Sequence, residues 1–600
     1  MPGRPTTLLD FGASPVAPTK GPRRSTFERG AGGFVEHPQL ASGTVAWRDY
    51  QIAIAKLALD SNTMVVLPTG LGKTVIAGLV AAECLMHEPG RILVLAPTRP
   101  LCLQHEARLK AWLKGPPPTV AITGKRRSRE RRALEAAARV VIATPQVVAN
   151  DLVSGQFDLS TFGLVVFDEG HRAVGDYQYV DIGRAVAALP LAQRPRVLAL
   201  TASPGHEEER VLEVRRNLLI ERIESRTSDD SDVAHHVKQM AIEWRRVAFP
   251  PALEEPRDRL QKLQDERVQK LRRLGFLRHK KNPQVTKKDI IEAAGLLGAR
   301  MKQRRAPYLF AGFLHQGVAL HAAICLELIE CEGVEALRAH ITRVQGGELK
   351  RKDKAFLADR HAKAVLRFLA ATKGEVHPKF EELARLLKSA LPQGRGRKAI
   401  VFAQYRDTVA TIVSELKSHG IEARRFVGQA DRSNEKGMSQ DEQRATLAAF
   451  ARGDFPVLVA SSVGEEGIDI PAVDLVVFFE AVPSAIRSIQ RRGRAGRTKA
   501  GRTVVLIAAG TRDEKMAFAG AAREKKMKRI VQGMRRPDPK VRTLPGPTAT
   551  TSPSWGFSFA VSGIIMPPFV TSSRAKGFTT ILSPRGSSFT TTRHLLPEIY

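Results

Sequence analysis

The stretch that decides the fold reads Met-Val-Val-Leu-Pro-Thr-Gly-Leu-Gly-Lys-Thr and occupies residues 64–74. Its first four residues are apolar and predict a buried strand, and helical periodicity begins at Thr74, so a short loop joins a strand to a helix. The glycines of this loop let backbone N–H groups turn toward phosphate oxygens, and the helix N-terminus adds positive potential. We therefore predict a phosphate-binding loop, although Leu67 stands where the stricter pattern has glycine.

The residues of this loop have separate expected tasks. Lys73 reaches the β and γ phosphates of ATP, and Thr74 offers its hydroxyl to Mg²⁺. ATP and Mg²⁺ are therefore the expected cofactors. The residues expected to contact the nucleotide here are Pro68, Thr69, Gly70, Leu71, Gly72, Lys73 and Thr74.

Short apolar runs alternate with amphipathic stretches in two separate parts of the chain. This alternation is typical of parallel sheets covered on both faces by helices, and it predicts an α/β fold with two RecA-like lobes. The predicted strands are Met64–Leu67, Ile92–Ala96, Val140–Ala143, Leu164–Phe167 and Val197–Leu200 in the first lobe, and Ala399–Ala403, Val457–Ala460, Leu475–Phe479 and Thr503–Ala508 in the second.

Composition and periodicity predict five parts along the chain. Residues 1–36 are rich in Pro, Gly, Ser and Thr and indicate a flexible basic leader. The two lobes are expected at 37–215 and 395–534, and the helix-rich stretch 216–394 between them is expected to be an all-helical insert. Residues 535–600 have no steady periodicity and are expected to be a disordered, low-complexity tail.

Bulk composition narrows the class of partner. The chain has 94 Lys and Arg against 61 Asp and Glu, and a net charge of +33 favours polyanions such as nucleic acid. The cysteines lack zinc-ligand spacing and indicate reduced, mostly buried thiols; they are Cys84, Cys102, Cys325 and Cys331. We find no apolar run long enough to cross a bilayer and no signal core, so we expect no membrane contact and a cytoplasmic, nucleoid-associated protein.

Two carboxylates follow the predicted strand Leu164–Phe167. A carboxylate at such a strand end can hold Mg²⁺, and a second can orient the attacking water. We therefore assign Asp168 to the metal, together with Thr74, and Glu169 to water activation. An isolated Asp-Glu pair is usually a cap or a solvated turn, and its position after the phosphate loop favours the catalytic interpretation.

An arginine-rich segment in the second lobe is the candidate partner of the loop. Residues 490–497 read Gln-Arg-Arg-Gly-Arg-Ala-Gly-Arg, which would also suit a nucleic-acid patch or a solvated run. Phosphoryl transfer spreads negative charge over the γ-phosphoryl oxygens, and an arginine that enters from another lobe stabilises it. Arg494 and Arg497 are therefore predicted to face the phosphate site.

Taken in order, these motifs resemble those of superfamily 2 helicases over residues 35–530. The resemblance implies that Arg48 and Gln51 contact adenine and that Gly467 and Asp469 touch both nucleotide and strand. It implies that the nucleic-acid backbone is gripped by Pro97, Thr98, Arg99, Thr144 and Pro145. A hydrogen-bond chain that couples hydrolysis to strand movement is expected to contain His171, Thr201, Ser203 and Gln490.

Within that superfamily the chain is most similar to archaeal Hef and its eukaryotic relative, the Fanconi anaemia M helicase. The similarity lies in Phe34–Pro38, Asp168–Gly175, Phe426–Ala430, Gly437–Gln440 and Val482–Arg494. It implies a DNA motor that moves 3′ to 5′ and remodels forks and branched DNA during repair. It also implies that the insert is a thumb-like domain that grips branched DNA, with repair or replication-fork proteins as possible partners.

Three positions or segments depart from that family. Gly170 stands where Ala is usual and Ser461 where Thr is common, and both are expected to leave the site usable. Hef continues into a nuclease with helix-hairpin-helix repeats. Because no Glu-Arg-Lys run followed by Asp occurs after residue 530, we expect no nuclease activity from this chain.

The sequence therefore predicts an ATP-dependent DNA helicase or translocase acting on forked or branched DNA. One alternative is an ATPase and helicase that depends on double-stranded RNA, since the same branch of the superfamily includes such motors. The other is a clamp that binds branched DNA, uses ATP as a switch and separates no strands. The preferred junction and the oligomeric state stay open.

Overall fold

The computed structural model of the chain describes residues 25–87, 90–115, 118–124, 128–205, 207–227, 230–234, 236, 242–277, 285–303, 306–372, 377–391, 396–429, 437–461, 471, 473–481 and 502–533. Five of the predicted functional residues lie outside these ranges: Gly467, Asp469, Gln490, Arg494 and Arg497. The expected tail and residues 1–24 of the expected leader lie outside them as well.

The first lobe begins before residue 37, where it was expected to start. Strands β1 (Glu28–Arg29) and β2 (Val35–Glu36) pair antiparallel, and Phe27 and Val35 are buried in the core of the lobe. The expectation of a flexible leader is therefore wrong for residues 25–36. Two buried apolar side chains anchor this Gly-rich stretch, which composition alone did not reveal.

The first sheet has seven parallel strands within the described residues, in the order β5-β6-β4-β7-β8-β3-β9. The residues of its five central strands are buried on both faces and mostly apolar, because helices cover both sides. The strands are β3 (Thr63–Val66), β4 (Ile92–Leu95), β5 (Thr119–Ile122), β6 (Val140–Ala143), β7 (Leu164–Asp168), β8 (Arg196–Thr201) and β9 (Arg222–Ser225). The helices of this lobe are α1 (Asp49–Asp60), α2 (Lys73–Cys84), α3 (Arg99–Trp112), α4 (Ser128–Ala137), α5 (Pro145–Val153), α6 (Gln178–Ala188), α7 (Glu208–Asn217) and α8 (Ser231–Ala234).

The insert is a bundle of helices with two apolar clusters. Its described helices are α9 (Glu254–Arg273), α10 (Lys287–Gln303), α11 (Pro307–Cys331), α12 (Val334–Gly346), α13 (Arg351–Leu357) and α14 (Arg360–Ala371). By length and mean hydropathy (1.6) α11 could cross a membrane, so the expectation that no run is long enough was wrong. Its buried side chains, among them Val318, Leu326 and Ile329, instead form the centre of the bundle.

The second lobe is also built on a parallel sheet, with the order β10-β15-β14-β11-β13-β12 among the strands that the structure describes. These strands are β10 (Ile242–Val247), β11 (Ala399–Phe402), β12 (Ala423–Phe426), β13 (Val457–Ala460), β14 (Leu475–Phe478) and β15 (Arg502–Ala508). The associated helices are α15 (Pro378–Ala390), α16 (Arg406–Ser418), α17 (Gln440–Arg452) and α18 (Arg512–Gly533). Two parallel-sheet lobes with a helical bundle between them confirm the predicted fold class.

The edges of the insert differ from the predicted 216–394. β9 pairs with β3 and belongs to the first sheet, and β10 pairs with β15 and belongs to the second. α15 packs its Phe380 and Leu383 into the core of the second lobe. The polar, alternating sequences of β9 and β10 lack the apolar runs by which nine strands were predicted, so both were assigned to the insert. β5 and β12 were not predicted either, but both lie within the expected bounds of their lobes.

A fully buried ion pair ties α15 to the second sheet. Lys379 and Asp513 have no exposed side-chain surface; the Lys379 ammonium contacts the Asp513 carboxylate and donates to the Phe479 carbonyl at 3.0 Å. Asp513 also accepts from the backbone N–H of Ala481 and Ala508, at 2.8 and 3.1 Å. Burial lowers the pKa of Lys379, but the charge and hydrogen bond of Asp513, together with the neighbouring Cys331 and Glu480, outweigh it, and the net pKa is raised. Both carboxylate oxygens of Asp513 and the ammonium of Lys379 are therefore hydrogen-bonded.

We expect Lys379→Met to destabilise the second lobe by about 3–5 kcal/mol, because it leaves the Asp513 charge buried without its partner. The midpoint of urea unfolding of the full chain measures this loss. Arg184→Ala is the control: its partner Asp181 and Arg184 itself are 60% and 70% exposed, so the change should stay within about 0.5 kcal/mol. Equal unfolding midpoints for the two variants would contradict the stabilising role given to the pair of Lys379 and Asp513.

Candidate active site

Five neighbouring strands of the first sheet carry, at their carboxyl ends, residues that the sequence singled out. Parallel strands pair about 4.8 Å apart, so their carboxyl ends lie side by side. The expected nucleic-acid contacts lie at one side of the acidic pair, and the nucleotide loop lies at the other. In spatial order the ends carry Thr144 and Pro145 (β6), Pro97–Arg99 (β4), Asp168 and Glu169 (β7), Thr201–Ser203 (β8) and Pro68–Thr74 (β3).

The loop after β3 has the geometry of a phosphate cradle. Gly70 and Gly72 have φ values of +90° and +75°, a conformation that side chains disfavour. A Cβ at Gly72 would come within 2.4 Å of the Gln51 Nε2. α2 begins directly after Gly72, so its first N–H groups, which have no acceptor within the helix, face the loop. The Lys73 ammonium donates to the Leu67 carbonyl at 3.1 Å, which holds it over the same concavity.

The residues expected to contact adenine, and Tyr50 between them, form hydrogen bonds with the phosphate loop or with each other. The Tyr50 hydroxyl and the Gln51 Nε2 both donate to the Leu71 carbonyl, at 2.8 and 3.0 Å, and Arg48 lies 3.3 Å from the Tyr50 hydroxyl. Gln51 is almost fully buried. These contacts give Tyr50 and Gln51 a role in shaping the loop, which the sequence motif alone did not indicate.

Asp168 is held in place by two residues that sequence reasoning missed. The Nε2 of His105, on α3, contacts Asp168 Oδ2 at 2.9 Å, and the Tyr179 hydroxyl donates to the Asp168 carbonyl at 2.7 Å. Burial raises the pKa of the Asp168 carboxyl, but the hydrogen bond and charge of His105 and the charge of Lys73 outweigh it, and the net pKa is lowered. Asp168 therefore stays ionised and close to Lys73. His105 and Tyr179 lie in no recognisable motif, and only the packing of α3 and α6 on the sheet brings them here.

Glu169 begins a contact chain that crosses from β7 to β8. Its Oε2 lies 3.3 Å from His171 Nδ1, and His171 Nδ1 lies 3.0 Å from the Thr201 hydroxyl. The Thr201 hydroxyl donates to the Ser203 carbonyl at 2.9 Å, so its oxygen is left to accept the His171 proton. The structure thus brings together three of the four predicted coupling residues, and Gln490 lies outside the described residues.

Gly170 lies between the acidic pair and His171, where space is short. A Cβ at this position would come within 2.9 Å of the Ala199 Cβ on β8. Glycine at this position therefore fits the space that the side chain of Ala199 leaves beside the acidic pair.

Arg99 reaches the second lobe from the expected nucleic-acid surface. Its Nη1 donates to the Gln440 Oε1 at 2.6 Å, and Gln440 is the first residue of α17. Ser439 and Glu442 cap that helix reciprocally, which fixes the position of Gln440. Sequence reasoning quoted Gln440 in a motif but gave it no task.

Three family descriptions match the chain in the order of its domains. "DEAD/DEAH box helicase" matches residues 48–211, "Putative ATP-dependent RNA helicase, helical bundle" matches 252–375, and "Helicase conserved C-terminal domain" matches 378–499. The crystal structure of the Pyrococcus furiosus Hef helicase domain aligns with a TM-score of 0.59 at 42% identity, over 79% of this chain and 98% of that one. The chain belongs to the superfamily 2 helicases, related to Hef and FANCM.

Curated relatives of this helicase have names of both DNA and RNA enzymes. A "Putative ATP-dependent RNA helicase" of Methanocaldococcus jannaschii is 37% identical over 84% of this chain and 63% of its own length. An "ATP-dependent DNA helicase MPH1" of Pyricularia oryzae is 34% identical over 81% and 46%. The "Fanconi anemia group M protein homolog" of Mus musculus is 30% identical over 81% and 26%. The helicase therefore spans less than two thirds of the length of these relatives.

The residues of the helicase site fit ATP and Mg²⁺. The family uses ATP, and the left-handed glycines and the N-terminus of α2, which has no side-chain cap, suit its phosphates. Glu169 Oε2 is buried without a hydrogen bond among the described residues, as a group that orients water would be. Thr74 and Asp168 would hold Mg²⁺, which would neutralise charge on the phosphates.

We expect His105→Ala to move the acid limb of the ATPase pH profile to higher pH. The variant removes the contact that lowers the pKa of Asp168 and leaves burial, which raises it, so Asp168 takes up a proton at higher pH. ATPase rates between about pH 5 and 8 measure this shift. His105→Gln can keep an N–H donor near the Nε2 position and should shift less. Identical profiles for all three proteins would contradict the role given to His105.

We expect Gly170→Ala to slow ATP hydrolysis, because its Cβ overlaps that of Ala199 and displaces the acidic pair. Overpacking of this kind costs about 1–3 kcal/mol. Ala199→Gly removes the opposing Cβ, so the double variant should recover most of the rate and the melting temperature. Equal impairment of the single and double variants would show that the contact is not the cause.

Proposed function

We propose that this chain is an ATP-dependent DNA helicase that moves 3′ to 5′ and remodels forked or branched DNA. One observation supports it most: the phosphate loop, the acidic pair, the Thr201–Ser203 turn and the Arg99 loop end neighbouring strands of one sheet. Two strands, β7 and β8, therefore lie between the nucleotide loop and the nearest expected nucleic-acid contacts, at the end of β4. The proposal assigns strand remodelling, and not cutting, to this chain.

The mechanism follows from the order of these residues along the edge. ATP supplies the phosphoanhydride bond whose hydrolysis drives the cycle. Lys73 and the N-terminus of α2 bind the phosphates, and Glu169 orients the attacking water. In the proposal Arg494 and Arg497 enter from the second lobe when the lobes close, with Gly467 and Asp469 nearby. His171 and Thr201 then transmit the change to β8.

The insert would move with the second lobe. Arg512 at the start of α18 donates to Gln261 and Gln264 of α9, at 2.6 and 2.7 Å. On the other side, Lys287 of α10 donates to the Tyr405 hydroxyl of the second lobe at 3.0 Å. A thumb-like grip on branched DNA by this bundle, which is part of the proposal, would therefore shift whenever the lobes shift.

DNA is favoured as substrate by the names of several relatives, which are ATP-dependent DNA helicases. The net charge of +33 suits any nucleic acid and does not discriminate. A specific observation favours RNA as the second candidate: the helical-bundle family and the Methanocaldococcus relative are both described as RNA helicases. Stimulation of ATPase activity by forked DNA, compared with duplex RNA at equal salt, separates the two candidates.

We expect Lys73→Ala and Arg494→Ala each to abolish DNA-stimulated ATP hydrolysis and displacement of a labelled strand from a fork. Loss of phosphate binding explains the first, and loss of charge stabilisation, a factor of about 10³ or more, explains the second. Lys417→Ala, at an exposed position, is the control and should behave as wild type.

Different results would contradict different parts of this proposal. Wild-type ATPase rates in either variant would refute the site. Tight fork binding with ATP hydrolysis but no displaced strand would favour the clamp over the motor. Displacement from a 5′-tailed but not a 3′-tailed substrate would refute the direction.

A further inference from the structure

Helix α18 is anchored at its start in the second lobe and the insert. Asp513 forms the buried pair with Lys379, and Arg512 contacts α9 as described above. The backbone N–H of Arg512 also donates to Glu330, at the end of α11, at 2.8 Å. Because these contacts are buried or charge-assisted, the first turn of α18 moves as one body with both domains.

The last turns of α18 lie against the first lobe instead. Met527 is 5% exposed and belongs to the core cluster of the first lobe, and Ile530 packs against the same cluster. The hydroxyl of Ser203 contacts the Met527 sulfur. The expectation that residues 395–534 form only the second lobe is therefore wrong for the end of α18.

The contact between Met527 and Ser203 lies next to the other predicted coupling residues. Ser203 lies in the turn after β8, and its N–H donates to Thr201 Oγ1 at 3.1 Å. Thr201 is in turn joined to His171 and so to Glu169. Met527 therefore contacts Ser203, the last residue of the contact series that begins at Glu169, the carboxylate expected to activate water. Phe518, on the same helix, is 61% exposed and lies in no such contact with the first lobe among the described residues.

Helix geometry makes α18 a rigid connection. Between Asp513 and Met527 the helix rises about 21 Å, at 1.5 Å per residue. A continuous helix resists stretching, so displacement of its first turn by the second lobe must be taken up where Met527 meets Ser203.

We propose that Met527 is a positioning residue for Ser203, through which α18 conveys movement of the second lobe and the insert to the Thr201–Ser203 turn. This rests on the proposed function, since the coupling task of that turn is part of it. Met527 touches neither substrate nor nucleotide and acts through Ser203.

The test compares strands displaced per ATP hydrolysed in Met527→Ala, Met527→Leu and Phe518→Ala. We expect Met527→Ala to lower this ratio at least about fivefold while the KM for ATP stays within about twofold, because the nucleotide site is untouched. Met527→Leu refills the space and should restore the ratio, and Phe518→Ala, a matched truncation at an exposed position, should leave it unchanged. The single variant Ser203→Ala should also lower the ratio. The double variant with Ser203→Ala and Met527→Ala should show no further loss.

Several results would overturn the proposal. An unchanged ratio in Met527→Ala, or a loss additive with that of Ser203→Ala, would remove the link to Ser203. A parallel fall of ATPase rate, displacement and melting temperature would mean that Met527 only stabilises the fold. If the wild type displaces no strand, the proposed function fails by itself. In that case the test of Met527 is the shift in the Kd for fork DNA that a non-hydrolysable ATP analogue causes. Met527→Ala should abolish this shift, and a shift equal to that of the wild type would overturn the proposal.

Discussion

Pairing of buried parallel strands is the constraint on which the rest of this structure depends. The central strands of the first sheet are buried on both faces, so neighbouring strands must satisfy their backbone groups. Regular parallel pairing then forces the carboxyl ends to one edge, where side chains from distant parts of the sequence meet. Asp168 and Lys73 are close because β7, β8 and β3 are consecutive in the sheet, although the residues lie far apart along the chain.

Two buried charge pairs of this chain also fix the groups beside them. His105 keeps Asp168 ionised in a setting that would otherwise favour the neutral acid. Lys379 and Asp513 hold the backbone of Phe479 and Ala481, just after β14. Desolvation makes such groups expensive to leave alone, so the same contacts that satisfy them also restrict where the neighbouring backbone can lie.

Among the described residues, two contacts between the lobes differ in chemistry. Arg99 and Gln440 meet through one hydrogen bond on the side of the expected nucleic-acid contacts, where a phosphate oxygen could compete for the guanidinium. Met527 and the turn at Ser203 meet through packing, which no solute can replace.

Sequence alone determined the lobes, the phosphate loop and the acidic pair, because apolar runs and glycine spacing are local signals that need no knowledge of neighbours. It also grouped His171, Thr201 and Ser203 by resemblance. Tertiary structure alone decided what surrounds them: His105 behind Asp168, Ala199 against Gly170, and Met527 beside Ser203. It also placed β9 and β10 in the two sheets. Such contacts join residues far apart in the chain, and their energy comes from burial and pairing across elements, which no local pattern records.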